Sequence, residues 1–216
     1  MSVNPYQAVR DFEAALCAYT GAKYAVTTNS CTMALLLAVA WHLRKGAPMT
    51  SAMVSALQRP GGPFIEIPKR TYVSVPQSII HAGGKPVFRD EEWFGFYRLN
   101  PLRVFDCARY FTSDMYAIGT MQCVSFHASK ILGDTQGGAI LHDNDEADAW
   151  LRRARFDGRT EGVAPKDDTF TQVGWHCYMS NDVAARLLLK LSVLPKHNHP
   201  LPNDPYPDLS TMEIFK

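Results

Sequence analysis

The chain has 216 residues and a mass of 24.1 kDa, room for one ordinary domain and a small appendage, and a chain of this size buries roughly 70% of its unfolded surface. Hydrophobic residues make up 46% and charged residues 20%, which excludes a disordered or collagen-like chain. Lys plus Arg number 22 against 21 Asp plus Glu, so nothing in the charge favours nucleic acid as a partner.

From Tyr6 to Tyr19, Val9, Phe12, Leu16 and Tyr19 recur at helical spacing, and Gly21 stops the run. Tyr24–Thr28 reads as a short strand. The small polar turn Asn29-Ser30-Cys31-Thr32 follows, then an apolar helix from Met33 to Leu43. Strand, turn and helix make the first half of an α/β unit. Residues 46–63 are rich in Gly and Pro and read as a connection. Phe64–Ile67 is a second strand, Tyr72–Ala82 a helix ended by Gly83-Gly84, and Lys85–Arg89 a third strand. After an aromatic stretch, EEWFGFYRLNP, come strands at Arg103–Asp106, Gln122–Phe126 and Gly138–Leu141, then helices at Asp145–Phe156 and Asn181–Leu194. Six strands interleaved with helices predict a three-layer α/β/α domain over residues 1–194 with a mostly parallel sheet. Residues 195–216 hold proline at 195, 200, 202, 205 and 207 and read as an extended Pro-rich tail.

The cysteines Cys17, Cys31, Cys107, Cys123 and Cys177 form no CxxC pair, which with their odd number predicts reduced thiols. The opening MSVNPYQAVRDFEAAL lacks a leader pattern. The longest apolar run, Met33–Trp41, is nine residues, far short of the ~20 that span a bilayer. The expectation is a cytoplasmic protein that needs no membrane.

In a sheet of this kind ligands bind beyond the carboxyl ends of the strands. Ser30, Cys31 and Thr32 stand at a helix N-terminus, where free N–H groups and the helix dipole favour a phosphate. Asp106 and Ser125 end two strands, and Lys130 follows on a short turn. An anion cradle, a carboxylate and a lysine at one sheet edge suit pyridoxal 5'-phosphate (PLP). That cofactor is held covalently by a lysine amine, and it withdraws electrons while its ring nitrogen stays protonated beside an acid.

Several blocks also occur in a known family. They are Phe12-Glu13, Tyr19–Val26, Asn29–Leu35, Thr71-Tyr72-Val73, Ala82–Phe88, Asp106-Cys107-Ala108, Ser125-Phe126-His127-Ala128-Ser129-Lys130 and Gly137-Gly138-Ala139, in that order. Weaker echoes lie at Asp157-Gly158 and Ser180–Ala185. With these blocks the chain resembles the DegT/DnrJ/EryC1/StrS family of PLP-dependent, fold type I aminotransferases, most of which act on keto sugars attached to nucleotides. The resemblance implies that Lys130 carries the cofactor and later moves a proton, and that Asp106 pairs with the ring nitrogen. It also implies that Tyr72 stacks on the ring while Thr32, the backbone after Ser30, and Ser125 hold the phosphate. A homodimer, an amino acid as donor and a keto sugar nucleotide as acceptor are implied as well.

The chain departs from the family pattern in places. Cys31 stands where Gly is usual, Arg109 where Gln or His is usual, and His176 and Tyr178 where Asn and Arg commonly reach the partner's cofactor. The segment between the third strand and Asp106 is short, so one strand of the usual sheet is expected to be absent. The C-terminal small domain is reduced to a helix and the tail. Arg109 is counted with the cofactor residues as a cation for a carboxylate or phosphate, with a surface ion pair as the alternative. His127 reads as a buried structural histidine. Cys31 sits where a helix start can lower a thiol's pKa, though it reads as a filler. His197 and His199 supply two ligands, too few for a metal site. The function expected is transamination. Dehydration or decarboxylation by the same cofactor, or a non-catalytic binding relative, are the alternatives.

Overall fold

A computed structural model of the chain describes residues 4–47, 50–57 and 60–216. Helix α1 spans Gln7–Thr20, with Val9, Phe12 and Leu16 buried on one face. Gly21 ends it in the left-handed region at φ 80°, its N–H returning to the Cys17 carbonyl, a geometry that costs glycine nothing. Strand β1 (Tyr24–Thr28) leads to helix α2 (Cys31–Leu43), capped by Ser30, whose Oγ accepts from the Met33 N–H. Ala34 through Trp41 are all buried, as expected of a helix apolar on every side.

The stretch read as a plain connection holds a short helix, α3 (Ser51–Leu57), anchored by buried Met53 and Leu57. Positions 48, 49, 58 and 59 of that stretch lie outside the described residues. Strand β2 (Phe64–Pro68), helix α4 (Ser74–His81) and strand β3 (Lys85–Arg89) follow. Then come β4 (Tyr97–Leu99), β5 (Val104–Asp106), β6 (Met121–Ser125), β7 (Gly138–His142), α5 (Asp145–Ala154) and α6 (Asn181–Ser192).

The main sheet has the order β1-β7-β6-β5-β4, and β2 and β3 pair in parallel beside it, joined to β4's end by the bridge Glu66–Asn100. β7 runs antiparallel to both neighbours, β4 runs antiparallel to β5, and β5 and β6 are parallel. The sheet is therefore mixed in its hydrogen-bonded pairs, although β1, β2, β3, β5 and β6 share one direction. The short segment before Asp106 holds β4 as one arm of an antiparallel hairpin with β5, which needs no crossover helix.

Side chains alternate across the sheet. Val26, Cys123 and Ile140 join the core under α2, α4 and α5, while Ala25, Val124, Ala139 and Leu141 join the core under α1 and α6. This is the α/β/α layering expected. An ionic cluster pins one edge. Glu13 of α1 is 4% exposed, accepts from Thr27 N–H at 3.0 Å and pairs with Arg152 at 2.6 Å and with buried Arg155.

The tail runs back across the domain. Tyr19 Oη donates to the Pro195 carbonyl at 2.6 Å, the Leu201 N–H to the Arg109 carbonyl at 2.9 Å, and the Leu209 N–H to the Lys69 carbonyl at 2.9 Å. Leu209 is buried, and two 3-10 turns, Leu209–Thr211 and Glu213–Phe215, finish the chain.

Candidate active site

β1, β5 and β6 run in one direction, so their carboxyl ends open onto one edge of the sheet. There a cavity of about 430 Å³ is lined by all eight residues singled out from the sequence: Ser30, Cys31, Thr32, Tyr72, Asp106, Arg109, Ser125 and Lys130. Its volume lies in the range of small-molecule sites. Among the described residues no hydrogen-bond partner meets the N–H groups of Cys31 or Thr32, as expected in the first turn of α2. Thr32 Oγ1 lies 2.8 Å from Ser74 Oγ. The Gly-Gly-Ala block has a steric cause: a Cβ on Gly138 would lie 2.5 Å from the Cys31 backbone nitrogen, so only glycine lets β7 start against that helix end.

Asp106 is buried. Its Oδ2 accepts from Tyr97 Oη and its Oδ1 from the Ala108 N–H, each at 2.9 Å, and no ion pair reaches it among the described residues. Burial raises its pKa, while the Ala108 N–H, Tyr97 and the charge of Lys130 oppose the rise. Lys130 is half-buried and its Nζ has no hydrogen-bond or ion-pair partner among the described residues. Burial lowers its pKa and so does the nearby Arg109 guanidinium, with Asp106 pulling the other way. Burial together with the Asp106 charge pushes the Cys31 thiol well up, so the lowering that a helix start can give does not prevail.

Of the other placements, that of His127 departs from the sequence reading. Tyr72 stands at the cavity rim, 59% exposed. His127 is not buried; it is exposed, lines the cavity and shares a 3.0 Å contact between Nδ1 and Ser129 Oγ. Buried Arg109 pairs through Nη1 with Asp204 Oδ2 at 2.7 Å, and through Nη2 with the Pro202 carbonyl. His176 and Tyr178 line a neighbouring groove that shares Gln136 and Gly137 with the cavity.

Tyr97, Trp93, Asp204 and Tyr206 escaped the sequence reading. Trp93 and Tyr97 lay inside an aromatic stretch without strand periodicity, and Asp204 and Tyr206 arrive from the distant tail. Trp93 packs edge-on against Tyr97 at 4.7 Å and stacks on Tyr206 at 6.2 Å between ring centroids.

Comparison with known proteins follows this geometry. Over 82 residues the chain is 40% identical to the spore coat polysaccharide biosynthesis protein SpsC of Bacillus subtilis (strain 168), a match covering 38% of this chain and 17% of SpsC. The sugar aminotransferase CalS13 of Micromonospora echinospora superposes with a TM-score of 0.69 at 20% identity, over 87% of this chain and 60% of CalS13. NtdA of Bacillus subtilis, solved with bound cofactor PMP, superposes with a TM-score of 0.62 at 18% identity, over 87% of this chain and 48% of NtdA. The chain thus has the fold of these proteins and spans 60% or less of their length. The sequence model of the DegT/DnrJ/EryC1/StrS aminotransferase family matches residues 2–94 and 106–199, leaving out the β4 hairpin arm and the end of the tail. With most of its length inside that match, this chain belongs to the DegT/DnrJ/EryC1/StrS aminotransferase family.

Proposed function

We propose that the cavity binds pyridoxal 5'-phosphate and that the protein transfers an amino group from an amino acid to a keto sugar nucleotide. One observation carries the reading. Asp106, a buried carboxylate with no ion-pair partner among the described residues, and Lys130, whose amine has no hydrogen-bond partner among them, face the same cavity at the open N-terminus of α2. The donor set fits the group. A buried acid lacking an ion pair is completed by a protonated ring nitrogen, and free helix N–H groups beside Ser30, Thr32 and Ser125 are completed by a phosphate.

Bound PLP supplies an electron sink for the pair left when a bond at the substrate's Cα breaks. Asp106 would hold a proton on the ring nitrogen, and its burial would strengthen that attraction. Lys130 would hold the cofactor by its amine, and that amine, when free, would serve as the base and acid that moves the proton. Its lowered pKa leaves more of it as free base than an exposed lysine has, which both tasks require. Tyr72 at the rim would cover one face of the ring.

The sugar acceptor is inferred from the family and from the description of CalS13 as a sugar aminotransferase. We infer a homodimer from the groove at His176 and Tyr178, which adjoins the cavity through Gln136 and Gly137. No helix among the described residues is long and apolar enough to cross a membrane; the cytoplasm is the compartment we propose. Borohydride reduction of the protein incubated with PLP, followed by peptide mapping, leaves a pyridoxyl group on Lys130. A label on Lys69 or Lys85 instead sinks the assignment, and light scattering that finds only a monomer removes the dimer.

A further inference from the structure

Part of the cavity wall comes from chain that the family match leaves out. Residues 200–216 lie beyond it, yet Asp204 and Tyr206 line the cavity. Together with Trp93 they also line a second groove of about 470 Å³, so this stretch partitions the two spaces.

Its ends and its middle are held differently. Leu201 and Leu209 are tied by backbone hydrogen bonds to Arg109 and Lys69, and Leu209 is fully buried. Between them the contacts are polar or stacked. Asn203 Nδ2 donates to the Trp93 carbonyl at 2.6 Å, Tyr206 stacks on Trp93, and Asp204 sits on Arg109. The ion pair is lopsided: the Arg109 side chain is 9% exposed and that of Asp204 is 62% exposed. An anion so wet is weakly held, while a buried guanidinium left alone is costly. The pair resists simple opening and permits exchange, because another planar carboxylate can take the same guanidinium fork.

We propose that residues 201–209 are a displaceable strap across the cavity, latched by Asp204 on Arg109, and that a carboxylate-bearing ligand opens it by replacing Asp204. The strap's own carboxylate thus holds the place of the substrate carboxylate that must come near Lys130. This rests on the cavity being the reaction site, and it names the carboxylate of the amino donor as the opening signal.

The test uses the full chain and glutarate, a dicarboxylate with no amine to react. Titration calorimetry and hydrogen exchange of the Asn203, Asp204 and Tyr206 amides are measured together. Glutarate binds and quickens exchange across 203–206 several-fold, with the Leu201 and Leu209 amides unmoved; neutral glutaramide does neither. Asp204→Asn, at an exposed position, binds glutarate about fivefold more tightly, the upper end for a solvent-exposed ion pair, and exchanges fast without it. Unchanged exchange at saturating glutarate, equal affinity in Asp204→Asn, or equal opening by inorganic phosphate overturns the proposal. A chain labelled by borohydride on Lys130 whose strap ignores glutarate refutes the latch alone. A strap that opens in a chain never labelled refutes the cofactor reading alone.

Discussion

The Tyr97 hydroxyl donates to Asp106 Oδ2 at 2.9 Å, and that bond sets the direction of protons behind it. Tyr97 has one hydrogen to give, so Thr71 Oγ1, 2.6 Å away, must be the donor to Tyr97. Thr71, Tyr97 and Asp106 form a one-way relay of hydrogen bonds that ends on the carboxylate and favours its ionised form against burial. Tyr97→Phe removes the last link and strands the Thr71 hydroxyl. The expected cost is about 1–3 kcal/mol of stability, read from urea unfolding, with a fall in single-turnover rate smaller than that of Asp106→Asn. The Asn variant keeps the shape without the charge, and its rate is expected to fall roughly 10²- to 10³-fold. Equal rates in wild type and Asp106→Asn make the carboxylate structural only.

Lys130 titrates below the usual 10.5 of a lysine, through burial first and the Arg109 charge second. The rate at which added PLP forms an absorbing adduct should rise with pH around a midpoint below 10.5. Removing a nearby cation favours the ammonium, so Arg109→Gln moves the midpoint up. Removing a nearby anion disfavours it, so Asp106→Asn moves the midpoint down. Stopped-flow absorbance from pH 7 to 11 reads both, and shifts of the same sign in the two variants contradict this electrostatic picture.

Burial pushes the Glu13 carboxyl up, but Arg155, Arg152 and the Thr27 N–H overcome it and hold the group at about 2, against 4.5 for an ordinary glutamate. A folded-state pKa below the unfolded one gives stability that is present above pH 4.5 and lost as pH falls toward 2. Glu13→Gln leaves buried Arg155 with only the longer pair to Glu161 at 3.4 Å and is expected to cost about 3 kcal/mol, the lower end for breaking a buried pair. Urea unfolding of the variant should also lose much of the slope that wild-type stability shows between pH 4.5 and 2.

Gly138→Ala places a methyl group 2.5 Å from the Cys31 backbone nitrogen. Backbone cannot swing aside as a side chain can, so β7 and the start of α2 must part, at a cost of about 1–3 kcal/mol. The variant should fold with a lowered melting temperature and bind PLP more weakly. Unweakened binding, read by fluorescence quenching, means that the helix end takes no part in holding the phosphate.

Local pattern carried much of this architecture. β1 and β3 lie where the sequence puts them, and Ser30, Asp106, Ser125 and Lys130 meet at one edge because each follows a strand of the same direction. Features set by distant partners were not legible. Tyr97–Leu99 is three residues long, too short to show alternation, and it becomes a strand only because Val104–Asp106 lies beside it. Nothing near Glu13 announces Arg152 and Arg155, which arrive from far along the chain. At Cys31 a helix start alone would lower a thiol's pKa, yet burial beside Asp106 outweighs it, in keeping with its reading as a filler. Arg109 was ambiguous between a ligand and an ion pair until the fold brought Asp204 to it.

The end of the tail has a further consequence, for self-association. β3 is an outer strand, hydrogen-bonded to β2 on one side, and an outer strand with a bare flank invites pairing with other chains. Phe215 in the final 3-10 turn packs edge-on against Phe88 of β3 at 5.7 Å, and buried Leu209 ties the approach to Lys69 just after β2. The last residues thus pack over β3 and hold close to that outer strand. Removing them should turn a well-behaved protein into one whose light scattering grows with time and concentration, even where Asp106 and Lys130 are untouched.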